Sequence, residues 1–381
     1  MTPLSIENLN HHSHAALALA FTAGILATLS CLILPVIWHC PSNPILGPMV
    51  QMRKKRSRIE QAGGLGAFEL KDHYGLEHQV LNLDFRPETM WMNVGFWRNN
   101  PQSLPEACEA LLEELLRAAG LLDHDHPFSV LQVGCGCAET ARYMRRRFPR
   151  TFEAYIGVTL NGCQADYAAK QLALDAEIRD EKKETQENHI YCADAADPAS
   201  WPDSLHEILK QRLNTHEERK SLCVQSQPYS RPRPRSLWLL ALDTLYHFSP
   251  LCIPLLTHAS SLDASLMATD IILADNISLL DRIMLRFVFS SLRVPACNLL
   301  TRAEYFRMLG RCGYDEARIE MLDITEHCFE GFDAFTKAHM QRWESMGGSR
   351  VISRPVRMMG AVMGWWARRG TVREVIVVAR K

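Results

Sequence analysis

Residues 128–139, FSVLQVGCGCAE, pass from a short apolar run through a glycine turn into the start of a helix. A β-branched strand that ends in Gly134-Cys135-Gly136 lets bare backbone approach a ligand closely, because a Cβ at that point would collide with it. Such a turn is a weak signal by itself. It gains weight from a second segment about one strand–helix unit later, YIGVTLNGCQADYAA from Tyr155 onward.

The same alternation continues along the chain. Strand patterns lie at 128–133, 154–159, 188–192, 236–242, 270–274, about 316–322 and 373–379. Helical patterns lie at about 137–148, 161–174, 258–267 and 302–312. Seven strands, the last ending in EVIVVARK, predict a Rossmann-like α/β sheet, mostly parallel, with helices on both faces and an antiparallel edge. Residues 128–381 form this domain, and residues 67–127 form a mainly helical cap before it. Within that cap, 105–122 places Ala107, Leu111, Leu112, Leu115 and Leu116 on one helical face, with Gly120 as a stop. Residues 203–235 run from charged to Ser/Pro/Arg-rich and predict a surface insertion or a disordered loop.

The N-terminus is a separate matter. From Ala15 to Trp38 there is no charged residue. As a helix this stretch is roughly 36 Å long, enough to cross a bilayer. A cleaved signal peptide fits less well, because no Lys or Arg precedes the run, the run is too long and no small-residue cleavage site follows. A buried core helix rarely stays apolar on every face. Residues 1–14 then form a short tail, 15–38 a transmembrane helix and 39–66 a basic linker carrying Arg53, Lys54, Lys55, Arg56 and Arg58. The positive-inside tendency puts the long C-terminal part in the cytosol, with the endoplasmic reticulum the expected membrane. The basic cluster also suits an anionic leaflet.

Composition narrows the partners. Over 381 residues, 47% are hydrophobic and 22% charged, as in ordinary globular chains, and the net charge is −1. No bulk attraction to nucleic acid or acidic lipid follows, although local basic patches exist, and no basic stripe with interleaved aromatics is visible on the core. The twelve cysteines show no paired C-x-x-C spacing with a downstream His or Cys, so no metal is expected. Cys135 and Cys137 suit a tight turn by their size, and a reducing compartment accounts for the rest.

The segment VLQVGCGCAET resembles the first motif of the class I S-adenosyl-L-methionine (SAM)-dependent methyltransferases, usually VLDVGCGxG. Glu139 stands where a dinucleotide-binding loop wants its third glycine, which argues against a dehydrogenase. GVTLNGCQADYA (157–168) and MWMNVGFW (90–97) are similar to segments of the cyclopropane-fatty-acid, tocopherol and sterol methyltransferase group. LDTLYHF (242–248) and the stretch 298–325 are similar to its fourth-strand motif and its later Asn/Thr/Tyr/Gly region. Together these cover about three quarters of the chain, in order.

The resemblance implies SAM as cofactor. It places the amino-acid end of SAM against Gly134, Cys135 and Gly136, with Gln132 at the strand end. Thr159, Leu160 and Gln164 then meet ribose and adenine, and Asp194, beside Ala195, accepts from the adenine amino group. Asp194 also reads as a helix N-cap. Gln132 replaces the usual Asp and Ala138 a usual Gly, departures that either weaken affinity or mark an inactive copy.

Methyl transfer needs little covalent help, because the sulfonium carries its own leaving group and alignment supplies most of the acceleration. Tyr74, Trp97 and Tyr246 are candidates for an aromatic face against the sulfonium, or for plain packing. His247 and Asp243, at the end of the fourth strand, are candidate general bases, and a lone histidine is as readily structural. Residues 281–297 and 351–369 mix apolar, aromatic and Arg residues. They suit either packed cap helices or a membrane interface, with Trp365 and Trp366 at headgroup level and Arg368 and Arg369 facing phosphate. The expected activity is a membrane-anchored methyltransferase for a lipid-like or other apolar small molecule, with no nucleic-acid partner. A catalytically silent SAM-binding scaffold, or a methyltransferase of a soluble metabolite, is the alternative.

Overall fold

The computed structural model describes residues 89–123, 125–178, 187–212, 236–249, 251–292 and 294–381. The expected span at 15–38, the linker at 39–66 and Tyr74 lie outside the described residues. Among the described residues no helix is long and apolar enough to cross a membrane.

Seven strands form one sheet in the order β3-β2-β1-β4-β5-β7-β6. They are β1 (Phe128–Val133), β2 (Phe152–Thr159), β3 (Glu187–Cys192), β4 (Ser236–Leu242), β5 (Ser265–Leu273), β6 (Ile319–Asp323) and β7 (Val372–Ala379). The first five pair in parallel, with Val130 opposite Tyr155 on one side and Trp238 on the other. β7 runs antiparallel between β5 and β6, the antiparallel edge expected from the sequence. All six residues of β1 and all nine of β5 are buried, as in strands covered on both faces.

Alternation along the strands feeds two cores, one on each face. Phe128, Val130, Trp238 and Leu240 join one cluster. Leu131, Val133, Leu239 and Ala241 join the other. On the first face lies α1 (Leu104–Ala119), whose N-cap Ser103 accepts from the Glu106 N–H and whose chain stops at Gly120 in left-handed conformation. Its Ala107, Leu111, Leu112, Leu115 and Leu116 are fully buried, each leucine contributing about 2 kcal/mol. α2 (Glu139–Arg147) and α3 (Gly162–Ile178) follow β1 and β2, and α4 (Ile253–Ser261) follows β4. Between β5 and β6 come α5 (Leu279–Ser291) and α6 (Arg302–Arg311). Between β6 and β7 comes the helix pair α7 (Thr325–Ser345) and α8 (Arg350–Arg369).

Three expectations change. The helix expected at 258–267 ends at Ser261, and Ser265–Leu273 is strand throughout. Residues 265–268, Ser-Leu-Met-Ala, carry no β-branched side chain, so their strand form comes from burial between β4 and β7. The insertion expected from 203 begins later, because 203–212 is helical and inserts Leu205 and Leu209 into the second core; residues 213–235 lie outside the described residues. Finally, the tryptophans of α8 face inward. Trp366 is 2% exposed and stacks on Phe289 with centroids 5.2 Å apart, and Trp365 packs on the same core. Arg369 is paired with Asp281 at 2.8 Å, and Arg368 lies 3.8 Å from Asp333. α8 is therefore a packed cap helix on that face.

Candidate functional site

At the carboxyl ends of β1 to β4 the loops enclose a cavity of about 250 Å³. Parallel strands send their following loops to the same edge of the sheet, so four separate segments meet there. A fifth segment, Met90–Asn93, closes the cavity from the chain before α1.

The turn after β1 has Gly134 at φ 62° and Gly136 at φ 53°. A Cβ on Gly134 would run into the Thr244 side chain, and one on Gly136 would meet Met92 Cε. Backbone sign thus favours glycine at both positions, and close approach to Thr244 requires it at Gly134. Ala138, at the N-cap of α2, also sits at φ 60°, a strained place for a residue with a Cβ. The Cys135 N–H donates to the Val158 carbonyl at 3.0 Å, fixing the turn to β2. Burial pushes the thiols of Cys135 and Cys137 up to about 12, so neither ionises near neutrality and both serve packing. Gln132 Oε1 accepts from the Tyr155 hydroxyl at 2.6 Å.

In the loop after β2, the Thr159 hydroxyl donates to Gln164 Oε1 at 2.9 Å. Asn161 Oδ1 accepts from the backbone N–H groups of Cys163 and Gln164, capping α3. Between them Leu160 is 44% exposed, an apolar side chain left uncovered at the cavity. In the loop after β3, Asp194 Oδ1 accepts from the Ala196 N–H at 2.9 Å, and its carbonyl accepts from the Trp201 indole at 2.8 Å. Asp194 therefore caps its own turn while lining the cavity.

Two carboxylates staple the Met90–Val94 segment across the opening. The Met90 N–H donates to Glu139 Oε1 at 2.9 Å, and the Val94 N–H donates to Asp243 Oδ2 at 2.8 Å. Burial raises the Glu139 carboxyl, with Arg142 opposing at 3.2 Å and itself held by Asp175 at 2.7 Å. Asp243 is also raised by burial, and its Oδ1 accepts from the Thr269 hydroxyl at 3.1 Å. Beside it Glu374 of β7, 1% exposed, is pushed well above the ordinary carboxylate range by burial and then by the Asp243 charge.

The sequence-derived candidates Gln132, Gly134, Cys135, Gly136, Thr159, Leu160, Gln164, Asp194, Ala195, Asp243 and His247 all line this one cavity. Trp97 and Tyr246 do not. Trp97 lies over Gly331, where a Cβ would strike its ring, packs against Phe335 with the rings tilted by 30° and their centroids 5.0 Å apart, and donates to the Val94 carbonyl. Tyr246 points to a separate pocket with Asn298 and Tyr305. Asp243, expected as a base, has both oxygens engaged and holds the strap. The residues that sequence reasoning missed are Met92, Asn93, Glu139, Asn161 and Thr244. Glu139 had a signal, an acid opening the helix just after a glycine turn, but its partner Met90 is far away in sequence.

No family model and no curated protein sequence matches the chain. Solved structures do. A cyclopropane synthase from Mycobacterium tuberculosis has a TM-score of 0.52 at 14% identity, covering 81% of this chain and 95% of that one. A mycolic acid cyclopropane synthase complexed with SAH and CTAB has a TM-score of 0.56 at 14% identity, covering 82% and 97%. A [4+2]-cyclase, SpnF, has a TM-score of 0.50 at 16% identity, covering 82% and 94%. At these identities the likeness is one of architecture alone. The chain has the fold of the class I SAM-dependent methyltransferases, as the cyclopropane synthases do.

Proposed function

We propose that this protein is a SAM-dependent methyltransferase acting on a lipid-like or other apolar small molecule. The observation that carries it is the convergence of the Gly134–Gly136 turn, the Thr159–Gln164 pair and Asp194 on one cavity at the sheet's carboxyl edge. These residues fit the cofactor. The glycine turn, left-handed at Gly134 and Gly136, lines the cavity with backbone that carries no side chain there, suited to the amino-acid end. Uncovered Leu160 offers an apolar face to a purine, and Thr159 and Gln164 offer hydroxyl and amide groups to a ribose. Asp194 keeps its second carboxylate oxygen for an amino group. A solved structure of the same fold is complexed with SAH.

When bound, SAM supplies an electrophilic methyl group on a positively charged sulfur. The protein's part is to hold an acceptor in line with it, to exclude water with the Met90–Val94 strap, and to take a proton where the acceptor has one. His247, which lines the cavity just past β4, is the group in place for that proton. An apolar acceptor is supported by the uncharged run at 15–38, read as a membrane anchor with the catalytic part in the cytosol, and by the fold shared with cyclopropane synthases. Membranes carrying the protein, incubated with methyl-labelled SAM, are expected to yield a labelled product extractable into organic solvent. Label confined to protein or RNA contradicts the lipid acceptor.

A silent SAM-binding scaffold is the second reading, favoured by the fully engaged Asp243 and by the cyclase that shares the fold. SAM binding without turnover on any lipid extract is its signature.

A further inference from the structure

The outward face of α5 is built for something other than water. Leu279, Leu280, Ile283 and Phe287 are 77%, 59%, 46% and 55% exposed. Spacings of three and four residues put Leu280, Ile283 and Phe287, and Leu279 with Ile283, on one continuous stripe. The same helix already has a satisfied inward face, where Leu285 and Phe289 are buried and Phe289 stacks on Trp366. A helix with apolar residues on both faces exceeds what packing on the domain requires, and contiguous exposed apolar patches mark contact surfaces.

Charge selects the occupant. Arg282 and Arg286, one turn apart, are exposed beside the stripe and form no ion pair with a described residue. The helix's one acid, Asp281, is spent on Arg369 at 2.8 Å and on the Ser278 hydroxyl at 2.6 Å. The surface therefore offers bulky apolar side chains flanked by two exposed guanidinium groups, the pattern of a helix lying in the headgroup layer of an anionic bilayer. Arg282 also acts on the Glu304 carboxyl of α6, which its hydrogen bonds with Thr301 and, to a lesser extent, this charge lower. We propose that α5 docks on an anionic lipid surface through Leu279, Leu280, Ile283 and Phe287, with Arg282 and Arg286 on the phosphates.

The location gives docking a consequence, one that rests on the lipid-acceptor reading above. Just past α5, Asn298 donates to the carbonyls of Tyr246 and Phe248 at 3.2 and 2.6 Å. Those carbonyls flank His247 on the rim of the cavity. Docking through α5 would therefore act on a segment that is hydrogen-bonded to the cavity rim, and would bring an apolar acceptor held in the bilayer toward that rim.

The test uses the full chain with a photo-activated benzoylphenylalanine in place of Phe287, mixed with phosphatidylcholine vesicles containing phosphatidylglycerol. The control puts the same group at Leu174, a lone exposed leucine of α3. Cross-linking to phospholipid is expected from position 287 and not from 174, and the Arg282→Glu, Arg286→Glu double variant should lower the yield several-fold. Cross-links from 287 to residues 1–67 of the same chain, to a second copy, or equally to lipid from both positions overturn the proposal. The readout needs no turnover, so a failure of docking stays separate from a failure of methyl transfer, which the label from methyl-labelled SAM in an organic extract measures independently.

Discussion

The backbone N–H of Val94 donates to the carboxylate of Asp243 across 149 positions of sequence, at 2.8 Å. That bond, with Met90 on Glu139, turns the segment before α1 into a strap over the cavity. Asp243 pays a conformational cost for it, holding φ at 48° without being glycine. Replacing it by Ala leaves the Val94 N–H and the Thr269 hydroxyl unmatched, a loss of about 1–3 kcal/mol. Asp243→Ala is expected to weaken SAM binding roughly tenfold and to speed proteolysis within 88–96. Unchanged affinity would show that the strap does not close on the ligand.

Gly134 faces Thr244 so closely that the two side chains cannot both grow. Gly134→Ala is expected to abolish SAM binding in a folded protein with an unchanged circular dichroism spectrum. Adding Thr244→Gly should restore part of it, because the clash goes while the left-handed backbone strain stays. Equal failure of single and double variants would assign the whole effect to backbone sign.

Ala138 sits left-handed at the N-cap of α2 and makes no side-chain capping bond. Ala138→Gly is expected to raise the unfolding free energy by about 1 kcal/mol in denaturant titration, relief of strain outweighing the lost methyl.

These elements show what the sequence could and could not disclose. The glycine turn, the Thr159–Gln164 loop and Asp194 were legible because each is local: a strand, a turn and the first helical residues, contiguous in the chain. The strap's anchors were not, because Met90 meets Glu139, and Val94 meets Asp243, only through tertiary folding. Trp97 drew attention as an aromatic beside the motif, yet its ring is taken up by Gly331 and Phe335 of α7, and no local pattern announces that contact. β5 was misjudged at its first half for a related reason: Leu266, Met267 and Ala268 suit a helix by propensity, and burial between two strands decides otherwise.

Asp270 of β5 is 3% exposed, accepts from the Tyr305 hydroxyl and the Ile271 N–H at 2.8 Å each, and is pushed up by burial from 3.8 to about 7. A carboxyl whose pKa is raised by folding binds its proton more tightly in the native state. Its contribution is therefore intact below 3.8 and lost as the pH rises through about 7. Asp270→Asn, which keeps an acceptor without the charge, should flatten this part of the pH–stability curve and leave the variant roughly 3 °C more stable at about pH 8. A parent curve that is level between those limits contradicts the assignment.

His247→Ala is expected to lower the methyl-transfer rate about a hundredfold for an acceptor that must lose a proton, while SAM affinity changes less than about twofold. A parallel loss of affinity would make His247 a binding residue.

The cradle at Gly134–Gly136 is the centre of the account, and isothermal titration calorimetry of the full chain with SAM tests it most directly. The account predicts saturable heat for the parent, competition by S-adenosylhomocysteine, and no measurable binding by Gly136→Asp, whose side chain would take the place now filled by Met92. A parent that gives no heat, or a Gly136→Asp variant that binds as well as the parent, contradicts it.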